Sequence, residues 1–382
     1  MERIDFINAK RILWCCNDSG ITVKELSKQT KISSDLLQSV VDGEKGLTYN
    51  QIKTLADFFG RGIFFFLEEG EVNEKKIHSA NFRTLTNQKP YLSIQMRKFI
   101  EQVEKKRDQY LWLIEDLGEN IPKFTPPSLN GTIEQKANKI REWLKLSEKN
   151  DFLSYRHALE EKHIFVIKSN GYKGKWQIPK ESPILGFSLY HHTMPVIAVK
   201  AQSIIERQTF TMFHELAHLI LHQNSSIDDA NDMYAQKGEE AEANKLAGYI
   251  LVPDYFLEKI DIGNKPIGYD EYTYWLQNFR KNWGVSIEVI LRRLVDTTRI
   301  SPSIYNGYRD WIKNKVLPKK ENSGNRKYRY REPIHIFGNK FVQEVLEAKN
   351  LDQITVAKAS SYLDNLKIKS VHELEKYLVA NA

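Results

Sequence analysis

The chain has 382 residues, enough for about two or three domains that each bury a core, and its 41% hydrophobic and 27% charged residues are ordinary for a soluble globular protein. No apolar run reaches the roughly 18 residues that span a bilayer, and Met1-Glu2-Arg3-Ile4-Asp5 lacks a signal-peptide pattern, so a cytoplasmic protein without membrane contact is expected. The net charge of +7 permits nucleic-acid contact without demanding it. The two cysteines, Cys15 and Cys16, are adjacent. Neighbouring cysteines rarely bridge each other, so they read as buried thiols beside Trp14, and a cysteine zinc site is excluded.

In chain order, residues from about 8 to 69 read as short helices. Ala9 to Asn17 forms one, closed near Gly20. Thr22 followed by Glu25 is a capping box that opens a second, through Gln29. Ser33-Ser34-Asp35 starts a third, through Val41, closed by Gly43. Tyr49 or Asn50 opens a fourth, with Ile52, Leu55, Ala56 and Phe59 at helical spacing. Two short helices split by a tight polar turn, then a packing helix, is helix-turn-helix geometry.

Through Glu25-Leu26-Ser27, Ile32-Ser33 and Gly43, this stretch resembles the XRE-type helix-turn-helix family. It departs from a DNA reader in one respect: Ser33 to Asp42 holds no Arg or Lys, and Asp35 lies near the start of that helix. Ser34, Gln38 and Ser39 are left to contact bases, and Lys24, Lys28, Lys31 and Lys45 to supply phosphate contacts. A protein-interaction or dimerisation module is the competing reading.

Phe64-Phe65-Phe66-Leu67 reads as an apolar clamp, and Asn81-Phe82-Arg83-Thr84 follows a charged linker. A long helix is expected from Tyr91 to Leu117, a spacer able to support a homodimer. Pro122, Pro126, Pro127 and Gly131 mark a boundary. Beyond it, helices at Thr132 to Leu146 and Asp151 to Glu160 precede strands at His163–Ile167, Leu185–Tyr190 and Met194–Val199.

The next helix carries Thr209 to His222, with H-E-x-x-H at His214, Glu215 and His218. Four residues turn a helix by about 400°, so the two histidines project from one face, beside an apolar stripe of Phe210, Phe213, Ala217 and Ile220, and are expected to face a cleft. Two imidazoles at that spacing can share Zn²⁺, and Glu215 can act as a base toward water. A sheet directly before such a helix is the layout of zinc peptidases, whose sheet edge holds the substrate as an added strand. A third ligand is needed, and Gly238 to Ala247 offers candidates. Glu240 and Asn244 stand i, i+4, so one face can present a carboxylate to zinc and an amide to orient a histidine.

These linked motifs resemble the ImmA/IrrE metallo-endopeptidases: Phe210-Thr211, His214-Glu215, His218 and His222, then Glu240-Ala241-Glu242-Ala243-Asn244, then Leu251-Val252-Pro253. Ala217 stands where that family usually has glycine. The resemblance implies zinc held by His214, His218 and Glu240, with Glu215 as general base and Glu242 as the rival third ligand. His222 reads as an orienting or structural residue, and His191 and His192 as surface residues or donors to an oxyanion. It also implies a protein substrate encoded by a neighbouring gene, a repressor or a toxin–antitoxin partner, with operator DNA as a second partner.

Asn278 to Ser286, Val289 to Leu294 and Gly338 to Leu363 look like the helical tail of the longer members. The basic stretch Lys313 to Arg331, with Lys315, Lys319, Lys320, Arg326, Lys327, Arg329, Tyr328 and Tyr330, reads as a solvated loop or a phosphate-gripping surface. The expected architecture is α+β and mostly helical: a helix-turn-helix bundle at 1–70, a linker with a long helix at 71–128, a zincin-like domain with a small sheet at 129–300, and a helical, basic region at 301–382. The competing functional reading is a non-catalytic autoregulating repressor or antitoxin with a structural or vestigial metal site.

Overall fold

Local capping sets the N-terminal helices in the computed structural model, which describes residues 3–4, 6–72, 92–121, 123–171, 174–229, 235, 237–314 and 326–380. The chain is α+β and mostly helical, and it divides into two compact units, 1–104 with 178–181, and 105–177 with 182–382. No described helix is long and apolar enough to cross a membrane.

In the first unit, α1 (Ala9–Ser19) ends on left-handed Gly20, two residues later than the sequence pattern placed its end. α2 (Val23–Thr30) opens with the Thr22–Glu25 capping box, and Thr22 Oγ1 accepts from the Glu25 amide at 3.2 Å. Lys31 turns the chain through φ 60° into α3 (Ser34–Val41), capped by Ser33, and Thr48 caps α4 (Tyr49–Phe59). Strands β1 (Arg3–Ile4) and β2 (Leu47–Thr48) pair antiparallel, a two-residue contact too short to leave a periodic signal. Leu26, Leu37, Val40, Ile52 and Leu55 fill the core with Cys15 and Cys16. Burial pushes the Cys15 thiol up to about 12 and Cys16 to about 11, so both are packing groups. The aromatic run is a single 3₁₀ turn, Ile63–Phe66, not a continuous clamp: Phe66 is buried and Phe64 is 83% exposed.

Helix α5 (Ile94–Asp116) runs from one unit into the next. Its first half binds its own unit through Arg97 to Asp18 and Glu101 to Arg61. Tyr91, the 81–84 segment, Pro122 and the basic stretch from Lys315 to Asn325 lie outside the described residues.

The second unit holds α6 (Ile133–Leu144), capped by Thr132, and α7 (Phe152–Glu160), capped by Asp151. Its sheet has the order β3-β5-β4-β6, with β3 (Phe165–Lys168) parallel to β5 (Val196–Val199) and β4 (Ile184–Leu189) antiparallel to both β5 and β6 (Ser226–Asp229). The first three strands lie within two residues of their expected positions; β6 was not expected. α8 (Ile205–Ala217) packs on β4 and β5, α9 (Gly238–Leu251) packs on α8, and short α10 (Asp254–Leu257) follows Pro253. Then come α11 (Tyr272–Trp275), α12 (Gln277–Trp283), closed by left-handed Gly284, and α13 (Ile287–Asp296), capped by Ser286.

The chain closes with α14 (Pro302–Asn314), α15 (Glu332–Phe337), α16 (Asn339–Asn350), α17 (Val356–Tyr362) and α18 (Ile368–Ala380). Arg156 ties α15 to the sheet side of the unit. It pairs with Glu160 at 2.7 Å and donates to the buried carbonyls of Val166 and Ile336 and to the carbonyl of His335. A buried guanidinium is tolerable only when its donors are spent this fully.

Candidate metal centre

The H-E-x-x-H segment begins as an α-helix and widens into a π-helical turn over His218–His222. Its surroundings differ from the expectation of a helix bordering a cleft. Met212, Phe213, Leu216, Ala217 and Leu219 are all buried, and His214 and Glu215 have no exposed surface. The enclosure comes from α9 on one side and β4 with β6 on another. β4 crosses α8 closely because residue 186 is glycine: a Cβ there would stand 2.5 Å from Thr211 Cγ2 and 2.9 Å from Glu215 Oε1.

The side chains converge on one point. His214 Nε2 lies 3.1 Å from His218 Nε2 and 3.1 Å from Glu240 Oε2, and His218 Nε2 is 3.2 Å from that same oxygen. Glu240 reaches them from the first turn of α9, where a carboxylate also suits the helix dipole. Glu242, two residues on, is turned outward, with its side chain 70% exposed and 3.5 Å from His222 Nε2. Asn244 stands one turn beyond Glu240, half-buried. His222 Nδ1 meets His218 Nδ1 at 2.9 Å, so it touches the ring nitrogen that does not face Glu240. In the segment between β4 and β5, His191 is half-buried and His192 exposed.

Asp228, which sequence reasoning missed, joins the cluster from β6. Its Oδ2 is 2.9 Å from His214 Nε2 and its Oδ1 3.8 Å from His218 Nε2. The signal was thin: Ser226 and Asp228 alternate with Ile227 in a four-residue strand whose polar face points inward. A bulge in β4 between Ile184 and Gly186 sets the register that opposes Asp228 to Gly186. On the same face of β6, Ser226 Oγ donates to Glu215 Oε2 at 2.9 Å.

The electrostatics are those of a site built around a positive charge. Burial pulls His214 down, but Asp228 and then Glu240 outweigh it and hold the ring up at about 10. Burial pushes Glu215 up, and the charge of Asp228 pushes it further. Burial opposes ionisation of Asp228 and Glu240, and their histidine neighbours outweigh it and hold both below the usual carboxylate range. A protonated imidazole thus meets the demand of two buried carboxylates that a divalent cation would meet instead, with release of the proton. The donor spacing fits such an ion. Ligands about 2.0–2.1 Å from a tetrahedral centre stand roughly 3.3 Å apart, close to the 3.1 and 3.2 Å found here. His214, His218, Asp228 and Glu240 offer donor atoms that all lie within 4.8 Å of one another.

The N-terminal surface residues show no comparable convergence. Lys24, Lys28, Lys31, Ser34, Gln38 and Lys45 are all exposed, and the Gln38 amide donates to Asp42 at 3.0 Å.

Residues 178–295 match the family model of the IrrE N-terminal-like domain, peptidase M78. No curated protein matches the chain. The four converging residues therefore lie inside a segment similar to a metallopeptidase family.

Proposed function

We propose that the protein is a cytoplasmic zinc endopeptidase that cuts one specific protein partner, a repressor or a toxin–antitoxin component encoded beside it. In this reading the N-terminal bundle is an XRE-type helix-turn-helix module for operator DNA or for dimerisation. The observation that carries it is the meeting of His214, His218 and Glu240 next to buried Glu215, within the peptidase-like segment. Zinc held by those three side chains would supply Lewis-acid chemistry at a scissile carbonyl. Glu215 takes the proton of the attacking water on its carboxylate and delivers it to the leaving amine. Ser226 fixes the Glu215 carboxylate, and His222 fixes the His218 ring.

The test is cleavage of the neighbouring gene's product by the full chain and by Glu215→Gln. Loss of general-base catalysis should lower cleavage by about 10²–10⁴-fold while zinc stays bound. Undiminished cleavage by the variant sinks the proposal.

Enclosure of His214 and Glu215 favours a second reading, a non-catalytic autoregulating repressor or antitoxin with a structural metal. It predicts that Glu215→Gln leaves control of the partner unchanged. It also predicts a gel shift with DNA upstream of the gene that weakens steeply with salt.

A further inference from the structure

The edge strand of the sheet beside the candidate metal centre is β6, and a sheet edge is where the layout expected from the sequence adds a substrate strand. Strand β6 pairs antiparallel with β4, which itself lies on the H-E-x-x-H helix at Gly186. It offers two polar groups to the centre: the Ser226 hydroxyl engages Glu215, and the Asp228 carboxylate faces both histidines. Asp228 is 1% exposed, and the polar groups that face its oxygens are the His214 and His218 rings and the Glu215 carboxyl. A buried carboxylate with both oxygens aimed at imidazole nitrogens needs positive charge beside it, from an imidazolium or from a metal ion in its place.

A bland alternative is that Asp228 merely orients His214. Carboxylates with that task bond the ring nitrogen remote from the metal, as His222 does toward His218 through Nδ1. Asp228 instead approaches Nε2, the atom of His214 that also meets Glu240 and His218. The remote nitrogen, His214 Nδ1, is buried with no partner among the described residues. The carboxylate therefore stands on the metal side of the ring.

The geometry points to Asp228 as a fourth protein donor to the metal, delivered by edge strand β6, so that the centre rests closed. Four protein donors make a shut tetrahedron, whereas hydrolysis needs one position open. β6 is then an internal blocking strand, and activity requires its displacement by a partner segment that pairs with β4 in its stead. This inference rests on the metal-centre reading above and adds to it a latent state.

The test uses the full chain loaded with Co²⁺ in place of zinc, with Asp228→Ala, the near-isosteric Asp228→Asn, and Asp229→Ala as a control on the same strand. Metal affinity is read by chelator competition, coordination by the visible spectrum, and access by titration with acetohydroxamate. Asp228→Ala should weaken Co²⁺ binding by at least about 10-fold and change its spectrum. It should also admit acetohydroxamate at a concentration well below that needed for the unaltered chain, with Asp229→Ala behaving as the unaltered chain. Wild-type affinity, spectrum and hydroxamate access in both Asp228 variants would overturn the fourth donor while leaving the three-ligand metal centre standing. Failure of the unaltered chain to take up Co²⁺ overturns the metal-centre reading and this inference together.

Discussion

The α8–α9 region and the α2–α3 turn are both rich in polar side chains, and burial separates them. Around α8, His214, Glu215, Asp228 and Glu240 are packed away from water and face one another. From Val23 to Lys45, four lysines and four acids (Lys24, Lys28, Lys31 and Lys45 against Glu25, Asp35, Asp42 and Glu44) sum to zero charge and are solvent-exposed. Burying unpaired charge costs far more than a domain's margin of stability allows, so a buried polar cluster is kept only where partners or a ligand offset it. An exposed, balanced set carries no such demand. The difference teaches where chemistry is constrained: the second unit is committed to its cluster, whereas the first is a well-capped scaffold whose surface leaves its partner open.

Replacements that break this contrast should rank by burial. The largest loss is expected for Arg156→Met, which strands Glu160 with both side chains at most 5% exposed. Removing one member of a buried pair costs about 3–5 kcal/mol, read by denaturant unfolding. Adding Glu160→Gln should restore part of it, and an Arg156→Met loss below about 1 kcal/mol would show the pair to be dispensable.

A middle-sized effect belongs to Lys106, whose ammonium donates to the Tyr362 carbonyl at 2.9 Å and lies 4.6 Å from the Phe337 ring. Burial holds it down at about 8, below the ordinary 10.5. Between those values the unfolded chain binds the extra proton, so stability should rise as pH climbs through that window, and the cost is fully present below it. The rise is on the order of 3 kcal/mol. Lys168, also held at about 8 by burial, adds to the slope. Lys106→Met should therefore flatten only part of the curve; a slope identical to that of the unaltered chain contradicts the account.

The capping box comes next. Thr22→Ala removes the acceptor of the Glu25 amide and should cost about 1 kcal/mol of N-terminal stability. Smallest of all, Lys28→Ala with Lys31→Ala should change stability by no more than about 0.5 kcal/mol. If the bundle does grip an operator, the same pair should instead reduce the salt dependence of that binding by about 1–2 units of slope.

What the sequence made legible follows the range of the interaction. Capping boxes, the i, i+4 histidines and the left-handed glycines at Gly20 and Gly284 are local, and they can be read from spacing alone. Glu240 lies 26 residues from His214; its i, i+4 spacing with Asn244 made it one candidate among several carboxylates, and the resemblance to a known motif singled it out. Asp228 was out of reach, since its place depends on strand pairing, a bulge at Leu185 and a four-residue strand with its polar face turned inward. The expected cleft failed for the same reason, because β6 covers the face that helix periodicity alone leaves open. The two-residue pairing of β1 with β2 joins residues 43 to 45 positions apart and has no local signature either.

Metal content tests the central claim most directly. Purified full-length protein should carry one zinc ion per chain, His218→Ala and Glu240→Ala should carry essentially none, and Glu242→Ala should keep it. Full zinc in Glu240→Ala, with loss in Glu242→Ala, would contradict the assignment of the converging side chains as the metal centre.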